Sequence, residues 1–156
     1  MISNKLLSDK KIIFNYFRDK KYNKAIKFGK KLLNKKSKDF DLIKVLAISS
    51  INIENFSDAE KFFKEMLSIK PTAELYYDYA KILKKLKRYS DSIKFFEKSI
   101  KLNPKFSEAY NNLGNIKKLI NENKDAITNY KKAIQINKNN LEAYFNLAII
   151  LKNDKK

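Results

Sequence analysis

A pattern of large, small and polar residues that returns every 33 or 34 positions narrows what this 156-residue chain can fold into. Tyr110–Lys138 shows it most fully, as YNNLGNIKKLINENKDAITNYKKAIQINK. Apolar residues fall at Tyr110, Leu113, Ile116 and Ile120. After a polar break at Asn121–Asn123 they resume at Ile127, Tyr130, Ile134 and Ile136. This is largely the three-and-four spacing that lines one helix face, so the segment predicts a hairpin of two helices. Stepping 34 residues upstream reaches Tyr76, with Tyr79-Ala80, Leu83, Ser92, Phe96 and Pro104 in register. A further 33 reaches Ile43, with Leu46-Ala47, Ala59, Phe63 and Pro71. Another 34 reaches Asp9, with Ile12-Ile13, Tyr16 and Ala25, although Gly29 and Ser37 stand where an aromatic and a proline belong. Downstream, Tyr144 opens the pattern again with Leu147-Ala148 and Leu151.

The series of a large residue, two spacers, Leu-Gly, then Ala-x3-aromatic and a closing Pro resembles the tetratricopeptide repeat (TPR). The likeness covers residues 6–151. It implies an all-α fold, a right-handed α-solenoid of stacked antiparallel helix hairpins, in one TPR domain over 1–156. Repeats are expected near 6–39, 40–72, 73–106 and 107–140, followed by the first helix of a fifth at 141–153. A single hairpin cannot bury its apolar face, so several must stack. Small residues let the two helices of a hairpin approach: Ala47, Ala80, Gly114 and Ala148 on first helices, and Ala25, Ala59, Ser92 and Ala126 on second ones. Phe63, Phe96 and Tyr130 are expected to fill the space between neighbouring repeats. Gly114→Leu should therefore overpack, at roughly 1–3 kcal/mol.

Composition removes whole classes of chemistry. The chain has no Cys and no His, which rules out disulfides, thiolate nucleophiles, Cys/His zinc sites and His-based triads. Its two glycines form no phosphate-binding loop, and acids such as Asp91, Glu97, Glu122 and Asp125 fall on turns or outer helix faces. No enzyme activity and no cofactor are expected from these residues. The longest apolar run of the N-terminal stretch, Ile12–Phe14, is too short for a signal-peptide core or a membrane span. Together with the absence of Cys, this leads to a cytoplasmic expectation.

The net charge is +18, and residues 1–39 hold 13 basic against 3 acidic side chains. Lysines at 20, 21, 24, 27, 30, 31, 35 and 36 crowd the expected second helix at 23–35, which reads as a solvated face or an anionic docking patch. Only Arg18 and Arg88 are arginines, the side chain that binds phosphate bidentately, so no specific nucleic acid is expected. Helices are also expected near 6–18, 40–53 and 57–69, with Ser57 and Ser90 as N-caps of second helices. Asn139-Asn140 replaces the closing proline of the fourth repeat with another turn-prone pair.

TPR arrays generally bind peptides or partner proteins in the groove lined by their first helices, so the resemblance implies a protein or peptide partner here. The expected contact residues are Tyr77, Lys81, Asn111, Asn112, Asn115 and Asn146. Asn112 and Asn146 occupy equivalent phases of consecutive repeats. They are similar to two rungs of the asparagine ladder in the TPR groove of protein O-linked N-acetylglucosamine transferases. The Lys/Asn pair of the carboxylate clamp in heat-shock-chaperone adaptors is absent, since Lys10 is followed by Phe14 and Lys44 by Ile48. Between Leu141 and Leu151 only Glu142 and Asn146 are polar, so this helix needs a cover. Either the natural protein continues, or a partner or a second copy covers it by self-association. The first alternative includes the amino-terminal TPR region of a glycosyltransferase- or sulfotransferase-type enzyme.

Overall fold

A computed structural model of the chain describes residues 2–33 and 39–153. The expectations for Lys35, Lys36 and Ser37 lie outside the described residues. Nine helices make up those residues: α1 (Ile2–Arg18), α2 (Tyr22–Leu33), α3 (Phe40–Asn52), α4 (Phe56–Ile69), α5 (Ala73–Lys85), α6 (Tyr89–Leu102), α7 (Ser107–Leu119), α8 (Asn123–Ile136) and α9 (Leu141–Asn153). Contacts group the chain into two compact units, Met1–Pro71 and Thr72–Lys156.

In the first unit α1 packs on α2, α2 on α3 and α3 on α4, while α1 also touches α3. Ile13, Ala25, Leu42, Ile43, Leu46, Ala47, Ala59, Phe63 and Met66 are buried. Most of α3 is inside, Ser49 and Ser50 included. Gly29 turns out to be a point of close approach, because a Cβ there would lie 2.3 Å from Leu46 Cδ2. Leu46 thus fills the room that an aromatic at position 29 would have needed.

In the second unit α5 packs on α6, α6 on α7, α7 on α8 and α8 on α9, with a smaller contact between α7 and α9. Phe96 joins Ala80 to Ala109, Leu113 and Ile116, and so bridges the third and fourth repeats. Tyr130 likewise packs with Ala126 and with Ile150 of the next helix. The small residues sit where the helices touch. Ser92 Oγ donates to the Ala80 carbonyl at 2.6 Å, and a Cβ on Gly114 would meet the Tyr130 ring at 2.7 Å. Ala148 is the exception, standing exposed on α9.

The turns inside the hairpins share one geometry, and it corrects two expected caps. Lys20, Glu54, Lys87 and Asn121 follow the first helices with φ of 57°, 57°, 59° and 64°. The next amide bonds back to a carbonyl five residues earlier: Lys21 to Tyr16 at 2.8 Å, Asn55 to Ser50 at 2.8 Å, Arg88 to Leu83 at 2.9 Å and Glu122 to Lys117 at 2.8 Å. This is a Schellman closure, with a left-handed residue at C′. The following helix then starts almost at once. Ser57 and Ser90 accordingly lie inside α4 and α6 instead of capping them. Asn55 caps α4 by accepting from Asp58 N at 3.1 Å, and Arg88 stands at the N-cap of α6 and makes no side-chain cap bond. Asp39 caps α3 and Thr72 caps α5, accepting from Leu42 N at 3.0 Å and Leu75 N at 3.2 Å.

Candidate functional site

The expected contact residues all lie in the second unit, on α5, α7 and α9, and they form two clusters. In the first, Asn112 donates through Nδ2 to the Tyr77 hydroxyl at 3.1 Å and to its own helix at Glu108 O, 3.0 Å. The Tyr77 ring is braced by Phe106, with centroids 4.8 Å apart, and by Phe96 edge-on at 5.7 Å. Lys81 Nζ lies 5.0 Å from the Tyr77 ring centroid and 3.2 Å from Asp78 Oδ1. Burial, with the negative charges of Asp78, Glu108 and Glu142 nearby, pushes the Tyr77 hydroxyl up to about 12. It is therefore protonated at neutral pH.

The second cluster ties Asn111, Asn115 and Asn146 together. Asn146 Nδ2 donates to Asn111 Oδ1 at 3.2 Å and to Asn115 Oδ1 at 2.9 Å. Asn115 Nδ2 in turn donates to Glu142 Oε1 at 3.3 Å, and the Tyr130 hydroxyl donates to Asn115 Oδ1 at 2.9 Å. Burial, and the charge of Glu142, also push Tyr130 up to about 12. Asn111 is only 1% exposed, which makes it the floor of the cluster.

One acceptor sets the direction of this network. The Glu142 carboxylate can only accept, so Asn115 must turn its Nδ2 toward it. Asn115 Oδ1 then faces Tyr130 and Asn146, and Asn146 must answer with its own Nδ2. A backbone carbonyl fixes Asn112 in the same sense. Both equivalent asparagines thus spend their N–H donors inside the protein and turn Oδ1 away from these bonds. Glu142, Glu108, Tyr130 and Phe106 were not among the expected site residues. A signal for the glutamates exists, since Glu74, Glu108 and Glu142 recur at the repeat interval of 34.

Other first-helix positions are held differently. Lys10 pairs with Asp39 at 2.7 Å and stands 5.5 Å from the Phe14 ring centroid, within the first unit. Among the described residues no group of three or more acidic side chains is placed to hold a metal ion, and no helix is long and apolar enough to cross a membrane.

Family models described as tetratricopeptide repeats match residues 73–106, 95–128 and 115–154, which run without a gap over more than half of the chain. The chain is a tetratricopeptide repeat protein. Membership places it among repeat proteins that serve as protein-interaction modules. A search of curated proteins finds no match. Among solved structures, a crystal structure of MamA is similar with TM-score 0.85 at 22% identity, over 92% of this chain and 85% of that one. MamA from Desulfovibrio magneticus RS-1 gives TM-score 0.84 at 18% identity, over 96% and 86%. YrrB, described as a TPR protein with an unusual peptide-binding site, gives TM-score 0.77 at 15% identity, over 94% and 76%. At these identities the likeness speaks for the fold.

Proposed function

We propose that this TPR protein is a non-enzymatic, cytoplasmic scaffold that holds an extended segment of a partner protein against the first helices of its second unit. The contacts are Tyr77, Lys81, Asn112 and Asn146, with Asn111 and Asn115 holding Asn146 in place. The carrying observation is the shared orientation of the two asparagines. Each has both N–H donors committed and its Oδ1 left over, so the pair offers two acceptors one repeat apart. A strand of peptide backbone supplies N–H donors at regular intervals, and amide oxygens can accept these without reading side chains. Lys81 adds a donor beside them. YrrB supports the reading as a protein of the same fold with a peptide-binding site.

Absence of cysteine agrees with the cytoplasmic assignment. The period of 33 or 34 residues runs through Pro71 and Thr72, which supports treating 1–156 as one TPR domain. Self-association through the apolar α9 is a second part of the proposal.

Peptides selected from a display library on the intact chain test the groove. Asn112→Ala and Lys81→Ala should each weaken them by about 1 kcal/mol, or about fivefold, as single hydrogen bonds do. Equal affinity of the double variant, with its helix content intact, would remove these residues from the binding role.

A further inference from the structure

Each first helix of the second unit carries the same order of charges along one face. Glu108, Asn112, Asn115 and Lys118 of α7 follow one another at intervals of three or four residues. Glu142, Asn146, Ile149 and Lys152 of α9 do the same, as do Glu74, Asp78, Lys81 and Lys84 of α5. The glutamates stand in the first turns and the lysines in the last turns. Two rows therefore border the contacts proposed above, carboxylates on one side and ammonium groups on the other, about 15 Å apart at 1.5 Å per residue.

Helix dipoles do not account for the rows. They favour acids in first turns and bases in last turns on any helix. The second helices α6 and α8 also begin with acids, Asp91 and Asp125, and these are paired within the protein, Asp91 with Arg88 at 2.7 Å and Asp125 with Lys117 at 3.6 Å. On the first helices, by contrast, none of Glu74, Glu108 and Glu142 and none of Lys84, Lys118 and Lys152 has an ion pair among the described residues. Lys84 and Lys118 are half-buried nonetheless. Burial holds the Lys84 pKa below its ordinary 10.5, with Glu142 acting against the shift and Lys85 adding to it. A carboxylate brought by a ligand would offset that burial. Between the rows Asp78 and Lys81 neutralise each other at 3.2 Å.

An extended chain crossing the three helices turns alternate side chains to opposite sides, so one set meets the glutamates and the other the lysines. Such a chain occupies about 10 Å, the spacing of stacked sheets, and fits between rows about 15 Å apart.

We propose that the partner segment alternates in charge, with basic side chains toward Glu74, Glu108 and Glu142 and acidic side chains toward Lys84, Lys118 and Lys152. The inference rests on the groove reading above and adds the charge pattern of its ligand. Long-range attraction to a chain of net charge +18 would select any acidic segment, whatever its order. The two rows select order.

Two synthetic peptides of equal composition separate these cases, one alternating Glu and Lys and one with all Glu before all Lys, because both have zero net charge. In fluorescence anisotropy on the intact chain the alternating peptide should bind about tenfold more tightly, since the blocked one sets like charges against each row. Glu108→Gln and Lys118→Gln should each weaken the alternating peptide about threefold, with helix content unchanged.

Equal binding of the two peptides, or binding of neither, overturns the charge inference and leaves the groove reading to the library-selected peptides. A preference for alternation that survives Glu108→Gln combined with Lys118→Gln overturns it as well. A preference that is lost in that variant but survives Asn112→Ala with Lys81→Ala upholds the rows and removes the contacts proposed between them.

Discussion

Several single side chains carry more than one constraint, and Gly114 is the clearest of them. Alanine favours a helix over glycine by about 1 kcal/mol. At position 114, however, its Cβ would sit 2.7 Å from Tyr130 Cε1 and 3.2 Å from the Ala126 carbonyl. Tyr130 has no exposed space to move into, and its hydroxyl is tied to Asn115. Gly114→Ala should therefore lose roughly 1–3 kcal/mol to overpacking, more than the propensity returns. The same shift of Tyr130 should loosen Asn115 and weaken selected peptides. Unchanged stability in urea would mean that the ring relaxes freely. Ser49 makes the opposite case. Its hydroxyl is fully buried in α3 with no hydrogen-bond partner among the described residues. An unsatisfied buried group costs about 1–3 kcal/mol, so Ser49→Ala should raise the unfolding midpoint, and a fall would reveal an unseen partner such as water.

At the scale of the helix, the C′ residues of the hairpin turns offer a graded test. Lys87 adopts φ 59° and Asn121 φ 64°, a region costly for ordinary side chains and tolerated by Asn. Lys87→Gly should stabilise by about 0.5–1 kcal/mol and Asn121→Gly by less. Equal effects in thermal melts would show that strain at C′ does not set the difference. The N-cap of α3 adds a pH dependence. Burial works against the Asp39 carboxylate, but the Lys10 ammonium and the Leu42 amide outweigh it and hold its pKa below the ordinary 3.8. The stabilisation this gives is complete above 3.8 and is lost as the pH falls through the lower folded value. Asp39→Asn should flatten that acid limb while keeping an N-cap, whereas Asp39→Ala should cost about 1 kcal/mol at neutral pH as well. These turns also mark the limit of what the sequence makes legible. The period, the helices and the small contacts at Ala80, Ser92 and Gly114 are local size patterns and could be read directly. Lys20, Glu54 and Lys87 carry no glycine to announce a left-handed turn, so Ser57 and Ser90 drew attention as caps. The site asparagines were legible as residues, but their amide directions were not. Those of Asn115 and Asn146 depend on Glu142, an acceptor that reaches α7 from the next repeat, and that of Asn112 on the Glu108 carbonyl.

Across the whole molecule, 35 basic side chains face 17 acidic ones, so even complete pairing would leave half of the positive charge unmatched. Exposed pairs such as Lys81–Asp78 at 3.2 Å contribute little individually. Net self-repulsion should therefore outweigh surface pairing, and it is screened as the Debye length shortens from about 30 Å at 0.01 M salt to about 10 Å at 0.1 M. Raising sodium chloride should then raise the melting temperature by a few degrees, the change that about 1 kcal/mol produces in a chain of this size. A melting temperature that fell with salt would mean that the ion pairs dominate. The same titration separates bulk charge from a polyanion site on the lysine-rich first repeat. A polyanion acting only through counterion screening should match sodium chloride at equal ionic strength, and its retention of the protein should vanish at modest salt. If it stabilised the chain further, in a saturable way, it would be binding the folded state. Replacing Lys20, Lys24 and Lys27 by Gln should then remove the excess and leave the salt response in place. The composition, with 33 lysines and two arginines, favours the screening result.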